Sequence, residues 1–293
     1  MDQLLQALIL GLLIGGVYAL MASGLTLVFG VMHIVNVAHG ATLIAVAMLT
    51  WWLWSRTGVD PLLIGVALVP VMFGVGWLTY KGIISRISTE SVSMSVLLTF
   101  GIALTIEGVL NVVAGNKFRS ATPAYFEESF HVGDLVLPKA QVYGSLLALV
   151  TLTALYLVLT RTWTGRAIRA TSQNAAGAAL VGISAAATSA LTFALGTATA
   201  GVGGSILSVL YPFFPASHYD WISRLLGIIV LGGMGSLPDA LIGALLLGMA
   251  ETLTATYGSL QWATTIFYVA ILVVLLVKPQ GLFGARLRED VAV

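Results

Sequence analysis

The N-terminal part of the chain contains the feature that most restricts its fold, a run of 53 residues between Asp2 and Arg56 with no Asp, Glu, Lys or Arg. A helical crossing of a lipid bilayer takes roughly 20 apolar residues. The run is therefore long enough for two crossings joined by a turn near its middle. Three polar side chains occur where that turn is expected, at three-residue spacing: His33, Asn36 and His39.

Apolar runs of this kind recur to the end of the chain. Hydrophobic residues make up 58% of the sequence and charged residues 9%, whereas a soluble domain has roughly 25% charged residues. Because a chain in lipid must satisfy its own backbone hydrogen bonds, only helices or closed barrels can cross the membrane. The apolar runs lack the strict alternation of barrel strands. The sequence therefore predicts an all-α, polytopic membrane protein, with residues 1–293 forming a single transmembrane domain.

The apolar runs predict eight or nine transmembrane helices. The candidate segments cover about 4–28, 34–55, 61–79, 92–114, 141–160, 186–210, 222–235, 238–256 and 262–277. A broken or re-entrant segment is expected near 225–240, because Gly and Pro interrupt helices there. The residues of this interruption are Gly232, Gly233, Gly235 and Pro238. Interrupted segments of this kind are typical of substrate routes in transporters, and a simple turn at the membrane surface is the alternative.

The distribution of Lys and Arg predicts the orientation in the membrane. With nine crossings, the connections 80–91 and 161–185 and the C-terminal tail lie on one side and carry eight basic residues, against five on the other. The side richer in Lys and Arg is expected to be cytoplasmic. The C-terminus is then cytoplasmic and the N-terminus periplasmic. Residues 115–140 become the longest periplasmic loop, and Arg224 falls on the periplasmic side.

Several kinds of chemistry are excluded by the residues present. None of the four lysines follows a glycine, so the Gly-Lys-Ser/Thr of a nucleotide phosphate loop does not occur. The motifs of zinc and serine hydrolases are also missing, and there is no cysteine for thiolate ligands. No basic patch interleaved with aromatic residues indicates nucleic-acid binding. The sequence therefore predicts neither an enzyme nor a cofactor-binding protein, and it predicts no metal site.

The polar residues inside the apolar runs are candidates for a pathway or a helix break. His33, Asn36 and His39 are poor metal ligands as a set, since no carboxylate or thiolate joins them. They either line a polar route or cap the break between the first two spans, and the sequence favours the cap. Glu107 and Glu251 also lie inside predicted spans, where an ionisable side chain is by default a functional candidate. Glu107 is the stronger candidate of the two for a functional role.

Four stretches, taken in their order along the chain, are specific enough to indicate a protein family. They are GLTLVFGVMHIVNVAHGA (24–41), GRAIRATSQNAAGAALVGIS (165–184), IIVLGGMGSLPDALIGALLLG (228–248) and VKPQGLFG (277–284). In order and spacing they resemble the branched-chain amino acid ABC transporter permeases of the LivH type, over nearly the whole chain. The resemblance implies a bacterial inner-membrane importer subunit for branched-chain or other small amino acids. Amides, urea or small aromatic acids are alternative cargoes, and a stand-alone carrier or channel is the less favoured function.

The resemblance also implies partners. These are a second, LivM-like permease, two cytoplasmic ATPase subunits that use the ATP, and a periplasmic substrate-binding protein. Residues 161–185 would be the cytoplasmic segment that docks on an ATPase. Its candidate coupling residues are Gly165, Arg166, Arg169, Gln173, Asn174, Ala179 and Gly182.

The docking segment has its own predicted local structure. Asn is a favoured residue at a helix N-terminus, so Gln173 and Asn174 are expected to start a short helix. Ala179 and Gly182 are expected on one face of that helix, against the ATPase. Arg166 and Arg169 are expected to meet acidic groups at the rim of the contact.

Overall fold

The structure is a computed structural model that describes residues 2–86, 92–233, 235–278 and 281–283. Helices form most of it, and a helix occurs at each of the nine predicted apolar segments. The helices are α1 (Asp2–Met32), α2 (Ala38–Thr57), α3 (Pro61–Gly82), α4 (Val92–Ala114), α5 (Lys139–Arg161), α6 (Trp163–Gln173), α7 (Ala175–Leu180), α8 (Ala185–Leu210), α9 (His218–Gly232), α10 (Leu237–Tyr257) and α11 (Leu260–Val277).

Six helices within the described residues are long and apolar enough to cross a membrane: α1, α3, α4, α5, α8 and α10. A seventh, shorter apolar helix lies in the α11 segment. The loop between α4 and α5 contains an antiparallel hairpin, with β1 (Ser129–Val132) paired to β2 (Leu135–Pro138). These features agree with an all-α polytopic membrane protein.

Helix α8 forms the centre of the bundle, since it is the most buried of the long apolar helices. It runs antiparallel to α3, with Gly65 facing Ser205 and Gly76 facing Thr197. Small residues allow the two backbones to approach closely. The small-residue spacing along α8 is therefore used for helix packing.

Helix α1 packs in the same way against α10. A Cβ atom at Gly11 would lie 2.7 Å from Cα of Met249, and one at Gly15 would lie 2.8 Å from Cα of Leu245. Because residue numbers rise along α1 as they fall along α10, the two helices are antiparallel. The packing of α1 on α10 thus corresponds to the packing of α8 on α3.

The two halves of the bundle form an inverted repeat. Helices α1 and α8 cross antiparallel, with Gly24 against Gly196 and Met21 against Gly203. Each is followed by a non-helical segment, 33–37 after α1 and 211–217 after α8, apart from a short 3₁₀ turn at Pro215–Ser217. Each segment leads into a helix, α2 in one half and α9 in the other.

Helices α2 and α9 meet at their N-termini inside the bundle. A Cβ atom at Gly40 would lie 2.7 Å from the main-chain oxygen of His218 and 2.9 Å from Cβ of Ile222. Ala38, His39 and His218 at the starts of these helices are buried, whereas Tyr219 in the first turn of α9 is 41% exposed. The first residues of both helices therefore lie inside the protein, where non-helical backbone must find polar partners.

The predicted interruption near 225–240 is a turn between two helices. Helix α9 is continuous to Gly232, Gly233 and Gly235 have φ of 126° and 97°, and α10 begins with Pro238 in its first turn. A Cβ atom at Gly232 would lie 2.3 Å from the main-chain oxygen of Asp239, so the two helices return antiparallel and in close contact. The described residues there form a turn between α9 and α10, and another non-helical segment lies earlier in the chain, at 211–217.

The C-terminal motif completes this turn. The main-chain N–H groups of Leu282 and Phe283 donate to the carbonyls of Leu231 and Gly232, at 2.7 and 3.1 Å. Those carbonyls belong to the last turn of α9, which has no later helical residues to bond them. Two stretches that the sequence analysis singled out separately, 228–248 and 277–284, therefore contact each other.

Candidate functional site

The segment 33–37 separates α1 from α2 and begins with a residue in the left-handed region. His33 has φ of 55°, and its N–H donates to the carbonyl of Phe29 at 2.8 Å, which ends α1. The side chain of His33 is exposed. Val37 precedes α2 and supplies no side-chain cap to its first turn. The break thus leaves main-chain groups that need partners from another helix.

Thr99 of α4 supplies those partners. Its Oγ1 accepts from the N–H of Val37 at 3.1 Å and lies 3.1 Å from the carbonyl oxygen of Val35. The sequence analysis expected the side chains of Asn36 and His39 to serve these groups, and that expectation was wrong. The hydroxyl has a single proton, and the carbonyls of Ser95 and Val96 in its own helix lie 2.9 and 3.2 Å away, so Thr99 serves the N–H of Val37 and shares its proton between the break and α4.

His39 instead ties α2 to α1. Its Nε2 lies 3.0 Å from the main-chain oxygen of Met21, near the middle of α1, and the residue is 1% exposed. The tautomer that donates through Nε2 satisfies this contact. The start of α2 is thereby held at the level of Met21 and not at the end of α1.

Asn36 lies beside a cavity of about 250 Å³ between α2, α3, α4 and α8. The residue is buried, and its Oδ1 has no hydrogen-bond partner among the described residues. Ala38, in the first turn of α2, lines the same end of the cavity. The remaining wall is mostly apolar and includes Val46, Leu49, Met72, Val75, Ile102 and Phe193.

Glu107 joins α4 to the start of α9. Its Oε2 lies 3.0 Å from Nε2 of His218 and accepts from the hydroxyl of Tyr219 at 3.2 Å. His218 is buried, and its Nδ1 has no partner within the part of the chain that the structure describes. Glu107 was predicted from its position alone, while His218 and Tyr219 were not. The Glu107 carboxylate, whose side chain is 17% exposed, therefore has a structural partner at the start of α9.

One face of α4 serves the whole region. Thr99, Ala103 and Glu107 recur every four residues, a spacing that places side chains on one helix face. Thr99 serves the 33–37 break, Ala103 packs on Ala38 in α2, and Glu107 meets the start of α9. Thr99 lies eight residues before Glu107 on the same helix face, and this spacing was the sequence feature that could have identified Thr99 as a site residue.

A second polar group, which is partly buried, lies near the middle of α9. Nη1 of Arg224 lies 2.8 Å from Oε1 of Glu251 and donates to the hydroxyl of Tyr18 at 2.8 Å, and the Arg and Glu side chains are 16% and 17% exposed. Arg224 was predicted on the periplasmic side and Glu251 inside a span. In the structure both lie inside helices, and with Tyr18 they join α1, α9 and α10.

The predicted polar residues do not converge on a metal. His33 is exposed at the end of α1, whereas His39 is buried against Met21. Across the described ranges, no three His, Asp or Glu side chains lie close enough together to hold a metal ion.

The predicted docking segment folds as two short helices. The side chain of Asn174 accepts from the N–H of Gly177 at 2.8 Å and starts α7, as predicted. Gln173 is the last residue of α6. The prediction that Ala179 and Gly182 share a helix face was wrong, because α7 ends at Leu180 and Gly182 has φ of 83°. Gly182 therefore terminates the helix.

The same segment exposes apolar and basic side chains. Leu180 and Val181 are 89% and 76% exposed, and Arg166 and Arg169 lie on the exposed face of α6. Gly165 is buried, since a Cβ atom there would lie 2.2 Å from the main-chain oxygen of Leu159. The segment thus presents a mixed surface, with Gly165 fixing it against the end of α5.

Comparison with known sequences shows the family of the chain. Residues 7–276 match the family model described as the permease component of the branched-chain amino acid transport system. The high-affinity branched-chain amino acid transport system permease protein LivH of Escherichia coli is 27% identical over 300 residues, 96% of this chain and 95% of the relative.

Similar proteins occur in other organisms. BraD of Pseudomonas aeruginosa, a high-affinity branched-chain amino acid transport system permease protein, is 28% identical over 96% of this chain and 95% of its own. A probable LivH permease of Methanocaldococcus jannaschii is 28% identical over 90% of this chain and 88% of its own. No solved structure matches the chain. The family match covers most of the sequence, and the chain belongs to the permease components of branched-chain amino acid transport systems.

Proposed function

We propose that this chain is the permease subunit of a bacterial ABC importer and forms part of the translocation pathway for branched-chain or other small amino acids. The family match over residues 7–276 carries the proposal. The helices of the bundle and its buried non-helical segments support it, because such backbone at membrane depth is tolerated only against protein or a water-filled cavity. The chain performs no covalent chemistry and needs no cofactor of its own.

Energy for transport comes from other subunits. The sequence has no phosphate loop, so two cytoplasmic ATPases hydrolyse the ATP. A second, LivM-like permease completes the pathway, and a periplasmic binding protein delivers the substrate. These partners are part of the proposal and follow from the family to which the chain belongs.

The proposed topology has nine crossings in the inner membrane. Among the residues that the structure describes, six helices have the length and hydropathy of a span. We add α11 and the two composite crossings, 33–57 and 211–232, each of which combines a non-helical segment with a shorter helix. The N-terminus is then periplasmic and the C-terminus cytoplasmic. The burial of Arg224 against Glu251 removes one cation from the periplasmic count, which favours the same orientation.

The segment 161–185 is the proposed ATPase-coupling element. Exposed Leu180 and Val181 provide apolar contact area, and exposed Arg166 and Arg169 provide charges at its edge. Ala179 is exposed on α7, where a small side chain allows close approach of a partner. Apolar residues at the centre of a contact with charges at its rim are the usual anatomy of a protein interface.

Reconstitution tests the proposed function. The chain is purified with its co-purifying subunits, placed in proteoliposomes and supplied with binding protein and radiolabelled leucine. We expect uptake that requires ATP and binding protein, and no uptake by the chain alone. ATP-independent leucine uptake by the isolated chain would instead identify a stand-alone carrier and reject the proposal.

A further inference from the structure

We propose that an anionic phospholipid binds in a groove between α4 and the end of α3, with an acyl chain against α4 and its phosphate beside Lys81 and Arg86. The groove has a volume of about 510 Å³. It shares Ile102 and Ile106 with the wall of the cavity beside Asn36. The inference goes beyond transport, because its ligand comes from the membrane.

The floor of the groove is an apolar surface of α4, the least buried of the six long apolar helices in the described residues. A Cβ atom at Gly101 would have no described atom within 4 Å of it, so the glycine leaves a notch in the helix surface. The hydroxyl of Thr105 donates to the carbonyl of Gly101 at 2.8 Å and is therefore satisfied within the helix. The apolar side chains that line the groove are Ile83, Leu97, Leu98, Ile102 and Ile106.

The length of the groove matches one acyl chain. An α-helix rises 1.5 Å per residue, so the groove runs roughly 14 Å along α4 from Leu97 to Ile106. One leaflet is half of a hydrocarbon core of roughly 30 Å. The groove begins at Ile83 and Leu97, where α3 ends and α4 starts, and therefore extends from one membrane surface to about the middle of the bilayer.

Two basic residues lie at the surface end of the groove. Nζ of Lys81 lies 4.7 Å from the ring centroid of Trp77, which packs against the same hydrophobic cluster as Leu98 of the groove. The N–H of Arg86 donates to the carbonyl of Ile83 at 3.2 Å, so Arg86 follows directly on the groove lining. Lys81 and Arg86 are both exposed. Both cations are therefore available to a lipid head group.

The charges identify the kind of occupant. Lys and Arg at the end of a membrane helix attract anionic head groups, and basic sites between helices bind them. A zwitterionic lipid carries a cation of its own, which Lys81 and Arg86 repel. An apolar helix of another subunit would cover the groove without needing either charge. A phosphate with a net negative charge and an apolar tail fits both parts of the surface.

A lipid in this groove would support the helix that contacts the buried breaks. Residues on an α-helix are 100° apart, so Gly101 lies about 200° around α4 from Thr99. The groove is thus on the opposite side of α4 from Thr99 and Glu107, which contact the 33–37 segment and the start of α9. The acyl chain therefore holds α4 against the bundle.

Photo-crosslinking tests the site directly. The probe is phosphatidylglycerol with a diazirine in one acyl chain, added to the delipidated, assembled transporter and located by mass spectrometry. We expect adducts on Leu97, Leu98 and Ile102, which excess phosphatidylglycerol suppresses and excess phosphatidylcholine suppresses much less. Equal suppression by the two lipids would overturn the proposal, as would adducts confined to other regions. A groove without adducts would also overturn it and would indicate that a helix of another subunit covers α4.

A glycine pair tests the acyl-chain part of the site. Gly101→Leu fills the notch and should lower labelling of the groove by about tenfold, as expected when about two methylene groups lose their contact. Gly74→Leu is the matched control, because Gly74 of α3 also has open space around it and lies outside the groove lining. Equal labelling in the two variants would reject the groove as the site of the chain.

A charge pair tests the head-group part. The double change Lys81→Gln with Arg86→Gln should reduce the preference for phosphatidylglycerol over phosphatidylcholine by about tenfold or more. Arg56→Gln is the control, because the guanidinium of Arg56 lies over Trp52 at 5.6 Å at the end of α2, away from the groove. An unchanged preference in the double variant would reject the assigned head-group contacts.

Discussion

Nε2 of His39 lies 3.0 Å from the main-chain oxygen of Met21, and this contact fixes the start of α2 beside the middle of α1. The chain passes the end of α1, turns at His33 and runs back into the protein before α2 begins. A similar return precedes α9, so two helices start within the bundle.

The His39 contact is expected to contribute to stability. His39→Asn shortens the side chain beyond reach of Met21 and leaves a small void, which should lower the free energy of unfolding by about 1–3 kcal/mol. His33→Asn is the matched control, because His33 is exposed and Asn tolerates the left-handed conformation. Unfolding of both variants in detergent, followed by circular dichroism, compares them. Equal destabilisation by the two changes would contradict the assigned role of His39.

Thr99 is expected to be needed for the break at 33–37. Thr99→Val keeps the shape of the side chain and removes the hydroxyl, which leaves the N–H of Val37 without its partner in α4. A buried group left unsatisfied costs about 1–3 kcal/mol. Thr99→Ser, which keeps a hydroxyl, should recover most of this loss in the same unfolding measurement.

A second threonine of α4 serves as the control for this prediction. The Thr105 hydroxyl bonds only the carbonyl of Gly101, within its own helix, and Thr105 is exposed. Thr105→Val should therefore change the free energy of unfolding little. A Thr99→Val protein as stable as the Thr105→Val protein would show that other groups serve the break.

Substitutions of the two residues of the ion pair, Arg224 and Glu251, should have strongly non-additive effects on the free energy of unfolding. Arg224→Met leaves the carboxylate of Glu251 buried without its cation, and loss of one partner of a buried pair costs about 3–5 kcal/mol. The double change Arg224→Met with Glu251→Leu removes both charges and should recover much of that loss. A double variant that is less stable than the single one would contradict this account.

The hairpin in the loop between α4 and α5 offers a control for the ion pair. Lys139 and Glu128 form an ion pair there, and the Glu128 side chain is 53% exposed. Exposed pairs contribute at most about 1 kcal/mol, because water and salt screen them. Glu128→Gln should therefore have a small effect on unfolding under the same conditions.

The sequence predicted the helices well because their signal is local. Each of the nine apolar segments contains a helix, and the Asn174 cap was found from residue type and position alone. The contacts of the site were harder to predict because they join distant parts of the chain. Val37 and Thr99 are 62 residues apart, and Glu107 and His218 are 111 apart. A lone threonine in an apolar helix also has an ordinary role, bonding the carbonyl four residues earlier.

The helix break at 211–217 was also difficult to predict from the sequence. The Gly and Pro residues near 232–238 predicted a turn there. The interruption at 211–217 also contains two prolines, Pro212 and Pro215, but it was not predicted, because these prolines lie among aromatic residues. Its depth follows from the packing of His218 against Gly40 and Glu107. Local composition predicts that a chain turns, and only the tertiary contacts place that turn at the surface or in the core.

Reporter fusions test the orientation. A reporter enzyme that is active only in the periplasm should be silent when fused at Arg169 and active when fused near Glu128. The physical reason is the excess of Lys and Arg in the connections on the Arg169 side. The reverse pattern would reject both the orientation and the assignment of 161–185 to the cytoplasm.

The coupling role of α7 gives the last prediction. Ala179 is exposed on α7 beside the exposed Leu180. If this surface sits in a cleft of the ATPase, Ala179→Trp should leave insertion into the membrane intact and abolish substrate-stimulated ATP hydrolysis, because the indole cannot fit where a methyl group did. Ala67→Trp, on the exposed face of α3, is the control and should retain stimulation.

The charges of α6 distinguish docking from a solvated loop. Arg169→Glu should weaken association with the ATPase, and the weakening should diminish as salt rises, since rim charges mainly steer encounter and are screened by salt. Binding is measured by ATPase retention on the immobilised permease over a series of salt concentrations. Normal substrate-stimulated hydrolysis in Ala179→Trp, with the ATPases still bound, would show that the segment 161–185 does not couple the two subunits.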